Sequence, residues 1–202
     1  MRGLSDVLIL VPAAGQSRRM GGRDKLLETI EGESLLRRQV RRAVSTGGRV
    51  LVTLPRGSGS ERAAQLVGLN LMPPLQIDAS EGMGASLRAG AAAAEAVGAV
   101  GLMVLLPDMP DIDTFDINRL LQEFLEDPEN CVRATTEDGK VGHPVVFPAR
   151  TFGLLRTVRG DKGGRSVLSS EAVRDIPLSG RKAVIDLDTP EAWAEWRQTR
   201  KA

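Results

Sequence analysis

Continuous aliphatic runs and stretches of helical period alternate along this 202-residue chain. Val7 to Val11 is uninterrupted aliphatic, the pattern of a strand covered on both faces, and it runs straight into the glycine-bearing segment Pro12 to Lys25. Leu35, Leu36, Val40, Ala43 and Val44 then recur at helical spacing, and Gly47 and Gly48 stop that helix. RVLVTL, from Arg49, is the second strand. SGSERAAQLVG reads as a helix preceded by a capping Ser60 and closed by glycine. LQIDA is a short strand, and EGMGASLRAGAAAAEAVG is a glycine loop feeding an alanine-rich helix that can pack closely on its neighbours. GLMVLLPDMPDI is the most apolar strand and ends in acid, and TFDINRLLQEFLED after it is an amphipathic helix. Short strands in CVRATT, PVVF and AVIDLD alternate with further helices. The last helix is TPEAWAEWRQTRK, with Thr189 at its N-cap and Pro190 at its first position. This alternation predicts an α/β fold with a mostly parallel sheet and helices on both faces. No internal repeat or low-complexity linker divides the chain, and its length suits one α/β core, so a single domain over residues 1–202 is expected.

Composition narrows the function classes. Lys plus Arg (27) nearly balances Asp plus Glu (26), so no global field favours nucleic acid or an anionic membrane, and any anion site must be local. Aromatic residues make up 3% with no Tyr, too few for a base-stacking platform on single strands. Cys131 is the sole cysteine, which rules out an internal disulfide and fits a reducing compartment. The apolar stretch near the amino end is far shorter than the roughly 20 residues of a membrane span and reads as a first strand. A cytoplasmic protein with no membrane partner is expected.

In open α/β sheets, ligands sit beyond the carboxyl ends of the strands. Residues 12–25, 107–110 and 186–189 occupy such positions. PAAGQSRRMGGRDK carries neither the G-x-G-x-x-G of a dinucleotide fold nor the G-x-x-x-x-G-K-[ST] of a Walker loop. What remains is a longer loop in which Ala13, Ala14 and Gly15 let backbone approach a ligand, while Ser17, Arg19 and Lys25 converge on a polyphosphate. Arg18 and Arg23 are expected to face solvent. Asp108 follows an apolar strand between two prolines, well placed to hold Mg²⁺, or else to cap its own turn. Asp186 and Asp188 end another apolar run, and they are expected to alternate, one facing a metal and the other capping the last helix. His143, the only histidine, lies beside Pro144 in a structural or a substrate-contacting role. Trp193 and Trp196 anchor the last helix.

AAGQSRRMGGRDK resembles the opening signature of the nucleotidyltransferase family that contains the molybdenum cofactor cytidylyl- and guanylyltransferases. EGMGASLRAG is similar to that family's base-binding loop, LLPDMPDI to its metal-binding acid, GHPVVF and RGDKGGRSVL to its acceptor-side segments, and DLDTPEAW to its closing motif. Together these cover roughly residues 7 to 193, in the family's order. Pro12 departs from the family's usual alanine or threonine and is similar to the PAAG opening of the methylerythritol phosphate cytidylyltransferases.

The resemblance implies a three-layer, Rossmann-like nucleotidyltransferase fold. It implies an in-line attack by an acceptor phosphate on the α-phosphorus of an NTP, with pyrophosphate released. Arg19 and Lys25 would hold the triphosphate, and Asp108 with Asp186 would hold Mg²⁺, the motif favouring Asp186 over Asp188. Gly82, Gly84 and Ser86 would present backbone and hydroxyl to the base, although Ser86 also reads as a plain first-turn residue of a helix. His143, Lys162 and Arg165 would meet the acceptor. The glycine–methionine–glycine wording favours CTP, and molybdopterin is the implied acceptor. A guanylyltransferase, a sugar- or polyol-phosphate cytidylyltransferase, and a cofactor carrier that docks on a molybdoenzyme are the other readings.

Overall fold

The computed structural model describes residues 3–57, 60–160 and 163–200. From the amino end, β1 (Val7–Pro12) leads through a loop and a short antiparallel pair, β2 (Thr29–Ile30) and β3 (Glu33–Ser34), into α1 (Leu35–Val44). β4 (Arg49–Pro55), α2 (Ser60–Gln65), β5 (Leu75–Ile77), α3 (Met83–Ala96) and β6 (Gly101–Val104) follow. The chain continues through α4 (Thr114–Glu126), β7 (Cys131–Thr135), β8 (Val141–Pro148), α5 (Phe152–Leu155), α6 (Arg165–Leu168), β9 (Val173–Pro177) and α7 (Pro190–Thr199).

Seven strands form one mixed sheet in the order β5-β4-β1-β6-β8-β7-β9. The β5–β4, β4–β1, β1–β6 and β7–β9 pairs are parallel, whereas β8 runs antiparallel to both β6 and β7. β1 is buried along its whole length because its alternating side chains meet a helical layer on each face. Val7, Ile9 and Val11 enter a core shared with Leu36, Val40 and Ala43 of α1 and with Leu120, Leu121 and Phe124 of α4. Leu8 and Leu10 point the other way, onto Leu87, Ala91 and Ala94 of α3 and Leu155 of α5. The alanine-rich α3 lies very close to the sheet: a Cβ on Gly90 would come within 2.6 Å of Leu10 Cδ2.

Local signals account for most element ends. Ser34 caps α1, its side chain accepting the Arg37 N–H at 3.3 Å. Asp113 and Asp116 form a reciprocal capping box on α4. Thr189 caps α7 and accepts the Ala192 N–H, with Pro190 at the first helical position as expected.

Two expectations change. AVIDLD does not form a strand: Lys182–Val184 make a 3₁₀ turn and residues 185–188 run on without joining the sheet. The place beside β7 is taken instead by β9, whose VRDIP sequence carries Arg174 and Asp175 and only one fully buried side chain, so it lacks an apolar run. Ser60 opens α2 as its first residue rather than preceding it.

The topology also locates a crevice. The chain builds outward from β1 through β4 to β5, then crosses back by way of α3 to place β6 on the other side of β1. Strand order therefore reverses between β1 and β6, and the loops leaving their carboxyl ends splay apart there. No helix of the described residues is long and apolar enough to cross a membrane.

Candidate active site

A cavity of about 460 Å³ opens at this reversal. Its walls come from the loop after β1 (Ala14, Gly15, Ser17, Arg19 and Lys25), from Gly82, Met83 and Ser86 at the start of α3, and from Asp108, Asp186 and Asp188. Sequence-distant acids and bases thus meet because three chain segments end at one edge of the sheet.

Lys25 is the hub. Its Nζ donates to Asp108 Oδ2 at 2.5 Å and also to Asp188 Oδ1, and all three side chains are largely shielded from solvent. Burial by itself would lower the ammonium's pKa, yet Asp108 and then Asp188 outweigh it and hold Lys25 above the ordinary lysine value. The exposed Arg19 pairs with the second oxygen of Asp188. Burial raises the Asp188 carboxyl, but Lys25 and Arg19 reverse that and leave it below the usual carboxylate range. Asp186 moves the opposite way: desolvation first, then the charges of Asp188 and Asp108, push it up.

The two acids do not divide their work as expected. Residues two apart in extended backbone share a face, so Asp186 and Asp188 both line the cavity while Leu187 between them is fully buried. Capping of α7 falls to Thr189, not to either acid.

Asp108 Oδ1 is buried and has no hydrogen-bond partner, although Oδ2 is engaged by Lys25. Asp108 lines the cavity, and an orphaned carboxylate oxygen is a natural cation ligand. Among the described residues no three His, Cys, Asp or Glu side chains already converge as a metal cluster. That donor set fits Mg²⁺, which takes one or two carboxylates and completes its shell with phosphate oxygens and water.

The remaining sequence-derived candidates separate. Ala13 and Ala14 are buried at the mouth of β1, where Ala13 donates its N–H to the Thr53 carbonyl at 2.9 Å. Ser17 has a left-handed backbone with φ 49°, and its hydroxyl both donates to Asp24 and accepts the Lys25 N–H, so it braces the loop. Ser86 is buried and hydrogen-bonds Thr53 Oγ1 at 2.9 Å. Gly84 faces away from the cavity: its N–H bonds the Gly160 carbonyl at 3.0 Å, and a Cβ would lie 3.0 Å from that same oxygen. The close backbone approach there explains the glycine.

His143 reaches the Asp108 side of the crevice because β8 is antiparallel to β6, which brings its first residues beside the end of β6. Burial pulls its imidazole below the ordinary value, and Nδ1 has no partner. Arg165, the first residue of α6, lies on the same side, whereas Lys162 falls outside the described residues. Arg23 is exposed, as expected; Arg18 is exposed too but lines the cavity, so it does not simply face bulk solvent. Buried Cys131 has its thiol pushed up to about 11 by burial and by Glu171, so it is no nucleophile.

Sequence reasoning passed over Asp24 and Arg62. Arg62 is buried and forks onto Asp24 at 2.6 and 2.8 Å, while its third nitrogen donates to the Ala13 carbonyl at 2.6 Å. Asp24 sat inside the recognised loop without an assigned role, and Arg62 in α2 carried no local signal.

The sheet order and the crevice at its reversal are those of a Rossmann-like α/β fold. Residues 9–176 match the MobA-like NTP transferase domain, and the chain belongs to that family. Rv0371c from Mycobacterium tuberculosis is similar at 25% identity and a TM-score of 0.79, with 95% of this chain and 98% of that one covered. Its homologue from Mycobacterium sp. strain JC1 is similar at 26% identity and a TM-score of 0.78, with 96% of each chain covered. CMP:2-keto-3-deoxy-manno-octonic acid synthetase, whose structure holds CTP, shares the fold at 15% identity and a TM-score of 0.73, over 96% of this chain and 98% of that one. No curated protein matches the sequence.

Proposed function

We propose that this nucleotidyltransferase is Mg²⁺-dependent and moves CMP from CTP to the phosphate of molybdopterin. The observation that carries the proposal is the Lys25 ammonium held between Asp108 and Asp188, next to an Asp108 oxygen with no partner. An acceptor phosphate is already ionised near neutral pH, so no general base is needed. Its oxygen forms a bond to the α-phosphorus as the bond to the bridging oxygen breaks, and pyrophosphate leaves with that electron pair. Catalysis then reduces to alignment and charge neutralisation.

Each residue has a part in that scheme. Arg19, largely exposed at its tip, can swing from Asp188 onto the β- and γ-phosphates, where a guanidinium binds two oxygens at once. Lys25 supplies a point charge at the leaving group. Asp108 and Asp186 would hold Mg²⁺, which when bound neutralises charge on the phosphate oxygens. Similarity to Rv0371c, which has also been solved as a manganese complex, supports a divalent-metal site. Gly15 and Ser17 would meet the phosphates and Gly82 and Met83 the base, all four lining the cavity. His143 and Arg165, which do not line the cavity themselves, would meet the acceptor, Arg165 offering charge to its phosphate.

Pyrophosphate release across the four NTPs, with molybdopterin, sugar phosphates and polyol phosphates as acceptors, tests the proposal. Release that needs Mg²⁺, CTP and molybdopterin is expected. Turnover with a sugar or polyol phosphate and none with molybdopterin would replace the acceptor, and a metal-independent rate would remove the ion.

A further inference from the structure

Arg62 belongs to none of the motifs, yet it is the most completely engaged cation near the cavity. Its side chain is 6% exposed, and each of its three nitrogens donates within the loop after β1: two to the Asp24 carboxylate and one to the Ala13 carbonyl. Asp24 Oδ1 accepts in addition from the Leu26 N–H at 3.0 Å and the Ser17 hydroxyl at 3.2 Å. That hydroxyl in turn accepts the N–H of Lys25 at 3.2 Å. One guanidinium on α2 therefore grips the loop at both ends, where it leaves β1 and one residue before Lys25. Between these anchors the chain passes through Ser17, Gly21 and Gly22, all at positive φ, and its own backbone bonds are a single 3₁₀ turn, with the Met20 N–H on the Ser17 carbonyl at 2.9 Å and the Arg23 N–H on the Met20 carbonyl at 3.3 Å.

We infer that Arg62 is a positioning residue for nucleotidyl transfer: through Asp24 and Ser17 it sets where Lys25 stands, an inference that rests on the reading of Lys25 as a triphosphate ligand. Stability alone does not account for the arrangement. A buried ion pair contributes little over a neutral pair of similar volume, because desolvation offsets the attraction. A planar fork, however, fixes the direction of the carboxylate it holds, which a lysine's point charge does not.

The test compares Arg62→Lys, Arg62→Met and the double variant Arg62→Met with Asp24→Asn in the full chain. It measures thermal stability, kcat and KM for the NTP, and amide hydrogen exchange over residues 13–26. Arg62→Met is expected to lose about 10²-fold in kcat, as small misplacements of catalytic groups do, and to exchange faster in the loop while β1 and β6 stay protected. Arg62→Lys should fall between, since it keeps the charge without the fork, and it carries the test if Arg62→Met does not fold. The double variant leaves no unpaired charge, so it should regain thermal stability without regaining kcat. Recovery of both together, or kcat losses that follow the melting temperature alone, would overturn the inference. If the unmodified chain turns over no NTP, the reading of the site fails, and loop exchange still decides for Arg62: unchanged protection in Arg62→Met excludes positioning.

Discussion

The backbone N–H of Leu187 donates to the carbonyl of Asp108 at 2.9 Å, splicing the acidic segment before α7 onto the turn after β6. The Leu187 side chain enters a small core with Met20, Leu35, Trp193 and Trp196. Met20 adjoins Arg19, and Trp196 Nε1 donates to Asp111 Oδ1 at 3.1 Å. One apolar cluster thus fastens the basic loop, the Asp108 turn and the Asp186–Asp188 pair to each other. Leu187→Ala should cost about 2–5 kcal/mol in urea unfolding and lower turnover even where the chain remains folded. Normal turnover in the folded variant would show that the acids are placed without that core.

Asp108→Asn should leave the melting temperature near that of the unmodified chain and remove most turnover. The amide keeps an oxygen acceptor but loses the charge that a bound cation and Lys25 both use. Mg²⁺ titration of the remaining activity is the measurement. An unchanged rate with an unchanged metal requirement would take Asp108 out of the site.

Lys25→Ala and Arg19→Ala should each lose at least ~10²-fold in turnover, the scale of losing one preorganised charge stabiliser. They differ in stability. Lys25 is buried between two carboxylates, so its removal leaves Asp108 without a cation and Asp188 with Arg19 alone and should lower the melting temperature, whereas Arg19 is mostly exposed and its removal should not. Equal melting temperatures for the two variants would contradict this difference.

CTP should be preferred over GTP by roughly 10²-fold or more in kcat/KM, because buried polar groups that read one base are left unpaired by the other. Within residues 82–84 the selection must come from groups other than the Gly82 and Gly84 N–H, which are committed to the Ala79 and Gly160 carbonyls. A ratio near one, or a preference for GTP, would separate the loop's wording from its base choice.

Asp113 links local stability to pH. It caps α4 and accepts from Lys182 Nζ at 3.1 Å; burial opposes its charge, but the Asp116 N–H and Lys182 outweigh that and hold its carboxyl below the ordinary range. A depressed folded pKa means stability that is present above the unfolded value of about 3.9 and lost as pH falls through the folded one. Asp113→Ala should therefore cost about 1 kcal/mol near pH 7, and the difference from the unmodified chain should shrink steadily below pH ~4. An equal cost in urea unfolding down to pH ~2 would show that the cap does not depend on charge.

The sequence by itself determined the alternating α/β order, β1, the helices α1, α4 and α7 with the cap of α7, and the segments that supply the cavity walls. Those features are written in local terms: aliphatic runs, helical spacing, cap residues, and glycines or acids directly after strands. Four things were decided only in three dimensions. The strand expected at AVIDLD lost its place to β9, because ladder position depends on which segment reaches the β7 edge, and VRDIP reaches it with few buried side chains. Where Asp186 and Asp188 point was settled by the fold: their two-residue spacing puts them on one face, and burial of Leu187 between them turns that face to the cavity. Gly84 serves a close approach to Gly160, a contact between the first turn of α3 and a loop far along the chain. Arg62 was silent in the sequence because its partners, Asp24 and Ala13, lie across the β1–β4 edge; only packing of α2 against the loop brings a guanidinium to them, and no periodicity or motif records a contact of that kind.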